Sequence, residues 1–145
     1  MPLIAAAASI LLLIACYHDV RHRRIQNWLP LAITLVASVK WLAAGELVPA
    51  LSAAGAAGFV LAFAALLYCQ GWIGGGDVKL LSATVFLLGA PAALPLLLLT
   101  AMIGGIMAVA VLCHLRGDAP GLPYGVAIAT AAIALMALDG HRWLA

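Results

Sequence analysis

Two aspartates, Asp19 and Asp77, are the residues whose types and positions best fit a chemical role. Asp77 follows three consecutive glycines and separates two long apolar runs, in a chain in which only 8% of residues are charged. A carboxylate at the centre of a membrane helix costs about 2.5–3.5 kcal/mol, so such a residue is a functional candidate. We interpret Asp77 as one half of a catalytic pair and Asp19 as the other half.

The chemistry of such a pair follows from its shared charge. Two carboxylates held together in a low-dielectric site do not both ionise easily, so the pair holds one proton. The ionised member can take a proton from water while the protonated member polarises a peptide carbonyl. This predicts aspartic-protease chemistry with no metal and no other cofactor. A nucleophile pair of Cys113 and His114 is disfavoured, because neighbours on a helix face different directions.

Each of these residues also has an interpretation without catalysis. Asp77 could be an acid at a helix N-terminus that complements the helix dipole, and Asp19 could be a solvated acid in a basic loop. Lys79 either snorkels to the membrane surface or tunes the pair electrostatically. Gly74 and Gly76 either shape the loop for substrate approach or serve helix packing.

The composition places the pair in a membrane. Of the 145 residues, 67% are hydrophobic, whereas soluble domains have about 45–50%. The chain therefore has too little polar surface for a soluble globule, and its net charge of +2 is too small to imply a nucleic-acid partner. A spanning helix needs about 20 residues. We predict an all-α polytopic membrane protein, with residues 1–145 forming one domain of about six helices at 3–17, 28–44, 50–69, 78–88, 92–113 and 122–138.

Basic residues set the predicted orientation, because Lys and Arg are enriched in cytoplasmic loops. Lys40 and Arg142 then lie outside, with Lys40 reaching the outer surface. Both termini are expected outside the cytoplasmic membrane, and both aspartates near its inner face. The basic residues predicted on the cytoplasmic side are Arg21, Arg23, Arg24, Lys79 and Arg116.

The order of these residues resembles a known family. The run 74–77 fits the Gly-x-Gly-Asp motif of intramembrane aspartyl proteases, and with the following Val-Lys-Leu it closely resembles the prepilin peptidases. Asp19 with the downstream run 24–28, Arg-Ile-Gln-Asn-Trp, is similar to the first aspartate block of that family, although Gln26 stands where proline is usual. The run 122–127, Leu-Pro-Tyr-Gly-Val-Ala, is similar to its third block.

The resemblance implies a substrate and a site. The substrate is a prepilin or pseudopilin with a short basic leader, cleaved at the cytoplasmic membrane face, with pilus assembly components as further partners. Because no cysteine-rich insert separates the first two helices, the chain resembles the short, peptidase-only type that serves Tad/Flp-type pili. Asp19 and Asp77 are the implied catalytic residues, and the implied site-shaping residues are Gly74, Gly76, Lys79, Pro123, Tyr124 and Gly125. For Pro123, a role in starting the last helix is an equal alternative.

Two other classes of protein compete with this interpretation. A small transport or proton-relay subunit also uses paired membrane acids, but it predicts acids nearer the bilayer midplane and a polar stripe along several helices. The predicted helices are instead almost wholly Ala, Leu, Val and Ile. A structural subunit of a secretion assembly would leave the pairing of Asp19 with Asp77 without a purpose.

Overall fold

The fold is known from a computed structural model that describes residues 1–114 and 124–139. Within these residues the chain is helical and contains no strand. Its helices are α1 (Pro2–His22), α2 (Trp28–Ala44), α3 (Leu47–Cys69), α4 (Gly75–Leu88), α5 (Ala93–His114) and α6 (Tyr124–Leu138), with a 3₁₀ turn at Ala90–Ala92 before α5. The all-α prediction is therefore confirmed for the described part of the chain.

Three helices are long and apolar enough to cross a membrane. They cover Pro2–His22, Leu47–Cys69 and Ala90–Val111, while Trp28–Ala44 and Tyr124–Leu138 are shorter apolar helices. The 14 residues of α4 rise only about 21 Å at 1.5 Å per residue, which is less than the hydrocarbon thickness of a bilayer. These findings support a membrane protein, while the number of six spans stays a prediction.

Backbone conformation explains where the helices end. Gly45 closes α2 with φ 66° and donates its N–H to the carbonyl of Leu42, as helix-ending glycines commonly do. The first helix continues past the predicted end at residue 17, and Arg23 closes it in the left-handed region at φ 50°. The consequence is that Asp19 lies on the last turns of a helix rather than in a loop.

The short helix α4 lies at the centre of the bundle, where α2, α3 and α6 pack around it. Its C-terminal carbonyls are satisfied by α2: Lys40 donates Nζ–H to Leu87 O at 2.8 Å, and Trp41 donates Nε1–H to Phe86 O at 2.9 Å. Free carbonyls at a helix end need such partners. Lys40, which we expected at the outer surface, thus contributes to the end of α4.

Contacts along the helices give their directions. Lys79 bonds to Asn27 near one end of the bundle, and Lys40 bonds to Leu87 near the other, so α2 and α4 are parallel. Helices α1 and α6 are antiparallel, because Asp19 lies against Gly125 at the start of α6. Alanine is the most frequent buried residue and allows close helix packing. The buried alanines are Ala8, Ala15, Ala37, Ala53, Ala57, Ala64, Ala83, Ala127, Ala129, Ala131 and Ala132.

The end of the bundle opposite to the aspartates brings both ends of the described chain together. Met1, Lys40, Glu46 and Asp139 line one cavity there, with a volume of about 460 Å³. Residue 1 and residue 139 therefore lie at the same end of the bundle. This agrees with an even number of helices that alternate in direction. The predicted positions of Arg116 and Arg142 fall outside the described residues.

Candidate active site

Asp19 is a buried carboxylate that faces the beginning of another helix. Its side chain is 5% exposed, and the backbone N–H groups of Gly125 and Val126 in the first turn of α6 donate towards it. Free N–H groups and the helix dipole make a helix N-terminus a favourable place for a negative charge. The Oδ2 atom of Asp19 is buried and has no hydrogen-bond partner among the described residues.

Asp77 occupies the first turn of α4. Gly74 is the N-cap of this helix, with extended backbone at φ −72° and ψ 141°. The carboxylate of Asp77, three residues later, accepts a hydrogen bond from the N–H of Gly74. This is half of the capping-box arrangement, in which an acid at the third helical position reaches back to the N-cap.

The two carboxylates interact with each other. Asp77 precedes the apolar part of α4 and lies outside the three candidate spans. Burial raises the pKa of Asp77, the negative charge of Asp19 raises it further, and the N–H of Gly74 lowers it, with a pKa of about 7 as the result. A carboxyl with such a pKa is poised to hold a proton near neutral pH, as a general acid requires.

Of the three glycines before Asp77, Gly75 has room for a side chain, whereas Gly74 and Gly76 do not. A Cβ built on Gly74 lies 2.8 Å from Oδ2 of Asp77, and one built on Gly76 lies 2.9 Å from Cβ and 3.2 Å from O of Ile25. A Cβ on Gly75 meets only the ring edge of Tyr68, at 3.3 Å, and Tyr68 is exposed. The structure thus gives a steric reason for the Gly-x-Gly-Asp pattern.

Gly125 packs against the other carboxylate. A Cβ built on it lies 2.8 Å from Oδ2 of Asp19 and 2.8 Å from Cδ1 of Ile25. The predicted third block of the site is therefore next to Asp19 at this residue. Pro123, the other predicted member of this wall, lies outside the described residues.

Ile25 connects the two halves of the site and was not singled out from the sequence. It lies in the α1–α2 loop, and it is the side chain that limits space at both Gly76 and Gly125. It belongs to the Arg-Ile-Gln-Asn-Trp run that follows Asp19. Its position within that run was the available signal, but sequence spacing does not show that the loop folds back between α4 and α6.

Lys79 secures the same loop from the side of α4. Its Nζ donates a hydrogen bond to Oδ1 of Asn27 at 2.9 Å, in an exposed position. The charge that acts on the carboxyl of Asp77 is that of Asp19. The contact therefore indicates a role in holding the loop, which neither of the two interpretations drawn from the sequence included.

Asp77 also lines a largely apolar cavity of about 300 Å³ between α3, α4, α5 and α6. Tyr124 forms part of its wall, and its ring lies 3.1 Å from a Cβ built on Gly104. Thr100 on α5 also lines this cavity, and the sequence did not single it out. The other lining residues are Phe59, Val60, Phe63, Ala64, Leu67, Ile73, Val78, Leu81, Leu97, Ala101, Gly105 and Ile128.

The structure separates the remaining acids from this pair. Glu46 and Asp139 line the cavity at the opposite end of the bundle, as the predicted topology requires, and Asp118 lies outside the described residues. Among residues 1–114 and 124–139, no group of three or more His, Cys, Asp or Glu side chains is arranged to hold a metal ion. The described site is thus a pair of carboxylates bordered by glycines and an apolar cavity.

Comparison with known proteins agrees with the sequence resemblance. A family model described as the type IV leader peptidase family matches residues 6–109. The match covers well over half of the chain and includes Asp19, the glycine motif and Asp77, but it ends before α6 and Gly125. No curated protein and no solved structure matched the chain.

Proposed function

The chain belongs to the type IV leader peptidase family, and we propose that it is a membrane aspartyl endopeptidase that removes the basic leader from prepilins or pseudopilins. The observation that supports this proposal is the electrostatic interaction between Asp19 and Asp77. These two acids are 58 positions apart in the sequence and lie near the ends of different helices, and the charge of Asp19 raises the pKa of Asp77. A structural role for either acid would not require that interaction.

The surroundings of the two acids suggest different roles for them. Burial disfavours the charge on Asp19, and two backbone N–H groups at the start of α6 act against this effect, so they can hold Asp19 as a carboxylate. Asp77 has a pKa raised to about 7, which favours its protonated form below neutral pH. We therefore assign Asp19 as the general base and Asp77 as the general acid of the resting enzyme.

Peptide cleavage follows from these two protonation states. Asp19 takes a proton from water as the water oxygen attacks the carbonyl carbon of the scissile peptide, and Asp77 gives its proton to the carbonyl oxygen. The resulting gem-diol collapses when the amide nitrogen takes the proton from Asp19 and the C–N bond breaks. One hydroxyl proton then returns to Asp77, so a new carboxyl terminus and a new amino terminus are released and the pair is restored.

The location of the pair supports cleavage at the cytoplasmic face of the inner membrane. Asp19 lies near the C-terminal end of α1, and Asp77 lies at the N-terminal end of α4. The exposed residues Arg21, Arg23 and Arg24 are at the same end of α1. Basic residues at a helix end mark the cytoplasmic side. With this proposed orientation, residues 1 and 139, which line one cavity at the opposite end of the bundle, lie on the outer side.

Coexpression with a prepilin from the same gene neighbourhood tests the proposal. The precursor is detected by its gel mobility, and the amino terminus of its product is determined by mass spectrometry. We expect cleavage by the wild type, and a loss of about a thousandfold or more in Asp19→Asn and Asp77→Asn, because each removes one proton-transfer group. Asp139→Asn is the matched control at the opposite end of the bundle.

The outcomes separate the proposed peptidase from the alternatives. Cleavage by the wild type and by Asp139→Asn, but not by the two site variants, supports the aspartyl peptidase. Substantial cleavage by either site variant contradicts the dyad. Equal amounts of all four proteins in carbonate-washed membranes show that the loss is catalytic. Proton flux through wild-type vesicles in the absence of any cleavage would favour the proton-relay alternative.

A further inference from the structure

Thr100 carries a buried hydroxyl that has no partner in the described part of the chain. Its side chain is 7% exposed, and its Oγ1 atom is buried with no hydrogen-bond partner among the described residues. Leaving a buried donor unpaired is unfavourable, and such groups are rare in folded proteins. An unpaired hydroxyl beside a reactive site therefore suggests a partner that arrives with a ligand.

Other helical threonines of this chain show that the arrangement at Thr100 is not imposed by the helix. Thr34 donates its hydroxyl to Pro30 O at 2.8 Å, Thr84 to Leu80 O at 2.7 Å, and Thr130 to Val126 O at 2.7 Å. Each thus bonds to the carbonyl four residues earlier, which is the common local solution. Thr100 does not make this bond, and its hydroxyl has no hydrogen-bond partner among the described residues.

The side chain of Thr100 belongs to the wall of the cavity that reaches Asp77. Thr100 lies on α5 and Asp77 on α4, and both line the cavity of about 300 Å³ whose other walls are mostly apolar. Phe59 and Phe63 of α3 are exposed at its border, as is Ala101 of α5. The cavity therefore opens at the side of the bundle between α3 and α5, where an apolar segment could enter from the bilayer.

We propose that Thr100 is a substrate-positioning residue, whose hydroxyl donates a hydrogen bond to a backbone carbonyl of the apolar substrate segment next to the scissile bond. This inference rests on the proposed peptidase function. A peptide bond must leave the helical conformation to be attacked, and its neighbouring carbonyls then lose their intrahelical donors. In an apolar cavity such carbonyls need a new donor. Thr100 offers one from the wall of the cavity that Asp77 also lines, once its side chain rotates the hydroxyl towards the cavity.

Steady-state cleavage kinetics in proteoliposomes test this role. Thr100→Val keeps the shape of the side chain but removes the hydroxyl, whereas Thr100→Ser keeps the hydroxyl. We expect Thr100→Val to raise KM about 5–10-fold with a small change in kcat, because the bond is made before the transition state as well as in it. Thr100→Ser restores KM, and Thr84→Val, which removes a satisfied buried hydroxyl, stays at the wild-type value.

Thermal unfolding separates this role from a structural one. Because the hydroxyl of Thr100 is unpaired without substrate, Thr100→Val is expected to unfold at the wild-type temperature or above it. A lower unfolding temperature with a parallel loss of activity would show a structural role and overturn the inference. Thr100→Ala provides a second variant without the hydroxyl, and it should show the same rise in KM.

The kinetic outcomes also distinguish this inference from the proposed function. Wild-type cleavage that Asp77→Asn abolishes, together with an unchanged KM in Thr100→Val, overturns only the role of Thr100. An equal loss in Thr100→Ser and Thr100→Val would show that the methyl group matters rather than the hydroxyl, and it also overturns that role. Cleavage that survives in Asp77→Asn overturns the dyad itself.

Discussion

The carboxylate of Asp19 occupies the space that a side chain at Gly125 would need. A Cβ built on Gly125 lies 2.8 Å from Oδ2 of Asp19 and equally close to Cδ1 of Ile25. Neither neighbour can move freely, because Asp19 is buried on α1 and Ile25 also limits the space at Gly76. The start of α6 can approach Asp19 closely, with its N–H groups directed at the carboxylate, because residue 125 is a glycine.

Gly125→Ala is therefore expected to impair cleavage. Overpacking of this kind costs about 1–3 kcal/mol, and the shift falls on Asp19 itself, so we expect a reduction in kcat/KM of about 10–100-fold. Gly55→Ala on α3 is the control, because a Cβ there meets nothing within 4 Å. Equal activities of the two variants in a prepilin cleavage assay would contradict the close contact between α6 and Asp19.

Gly76→Ala and Gly75→Ala form a matched pair at neighbouring positions of the motif. A methyl group at residue 76 meets both Cβ and the backbone carbonyl of Ile25, whereas one at residue 75 meets only the ring of Tyr68. We expect Gly76→Ala to lower kcat/KM at least tenfold and to lower the unfolding temperature, because the backbone of Ile25 would have to move to make room for the methyl group. Gly75→Ala should stay within about threefold of the wild type, and the opposite ranking would contradict the packing described for this loop.

Much of this site follows from local sequence signals. The motif at 74–77 identified Asp77 and its glycines as candidate site residues. The apolar run at 28–44 predicted α2 at its observed bounds. The N-cap residue and the third residue of a helix interact within one turn. The contact between Gly74 and Asp77 is therefore local and can be read from the sequence. The resemblance to prepilin peptidases is confirmed by the family match.

The long-range contacts could not be predicted in the same way. The bonds of Lys79 to Asn27 and of Trp41 to Phe86 join residues 52 and 45 positions apart, and nothing in the local pattern of either residue specifies its partner. The unpaired hydroxyl of Thr100 becomes apparent only when the surroundings of its helix are known. Predicting these features requires the packing of helices, which the apolar runs alone leave undetermined.

Trp41→Phe is expected to reduce stability without affecting catalysis. The substitution removes the Nε1–H donor to the carbonyl of Phe86 near the end of α4 but keeps most of the aromatic surface. Loss of one hydrogen bond to a partly buried carbonyl costs about 1 kcal/mol, which should appear as a lower unfolding temperature in detergent. Because Trp41 is near the opposite end of α4 from Asp77, a large fall in kcat of the folded variant would contradict this separation.

Lys79→Met tests whether Lys79 holds the loop or tunes the acids. The variant loses the hydrogen bond to Asn27 but keeps an apolar stem of similar length. We expect kcat/KM to fall about two- to fivefold, with no displacement of the pH profile. Asn27→Ala should have the same effect, and the double variant should be no worse than either single variant, because both remove one interaction. A displaced pH profile would instead support an electrostatic role.

The pH dependence of cleavage should reflect the proton on Asp77. Burial and the charge of Asp19 raise the pKa of Asp77 to about 7, so the general acid is present below that pH and is lost above it. We expect kcat/KM in proteoliposomes to fall with rising pH above about 7, approaching tenfold per unit. A flat profile to pH 9 would contradict the assignment of Asp77 as the acid.

The same proton can be followed without catalysis. The infrared band of a protonated carboxyl should disappear as the pH rises through about 7, and it should be absent from Asp77→Asn. In Asp19→Asn the negative charge that raises the pKa of Asp77 is removed, so the titration of Asp77 should move to lower pH. An unchanged titration in Asp19→Asn would show that burial alone raises the pKa of Asp77, and that the two carboxylates do not act as a pair.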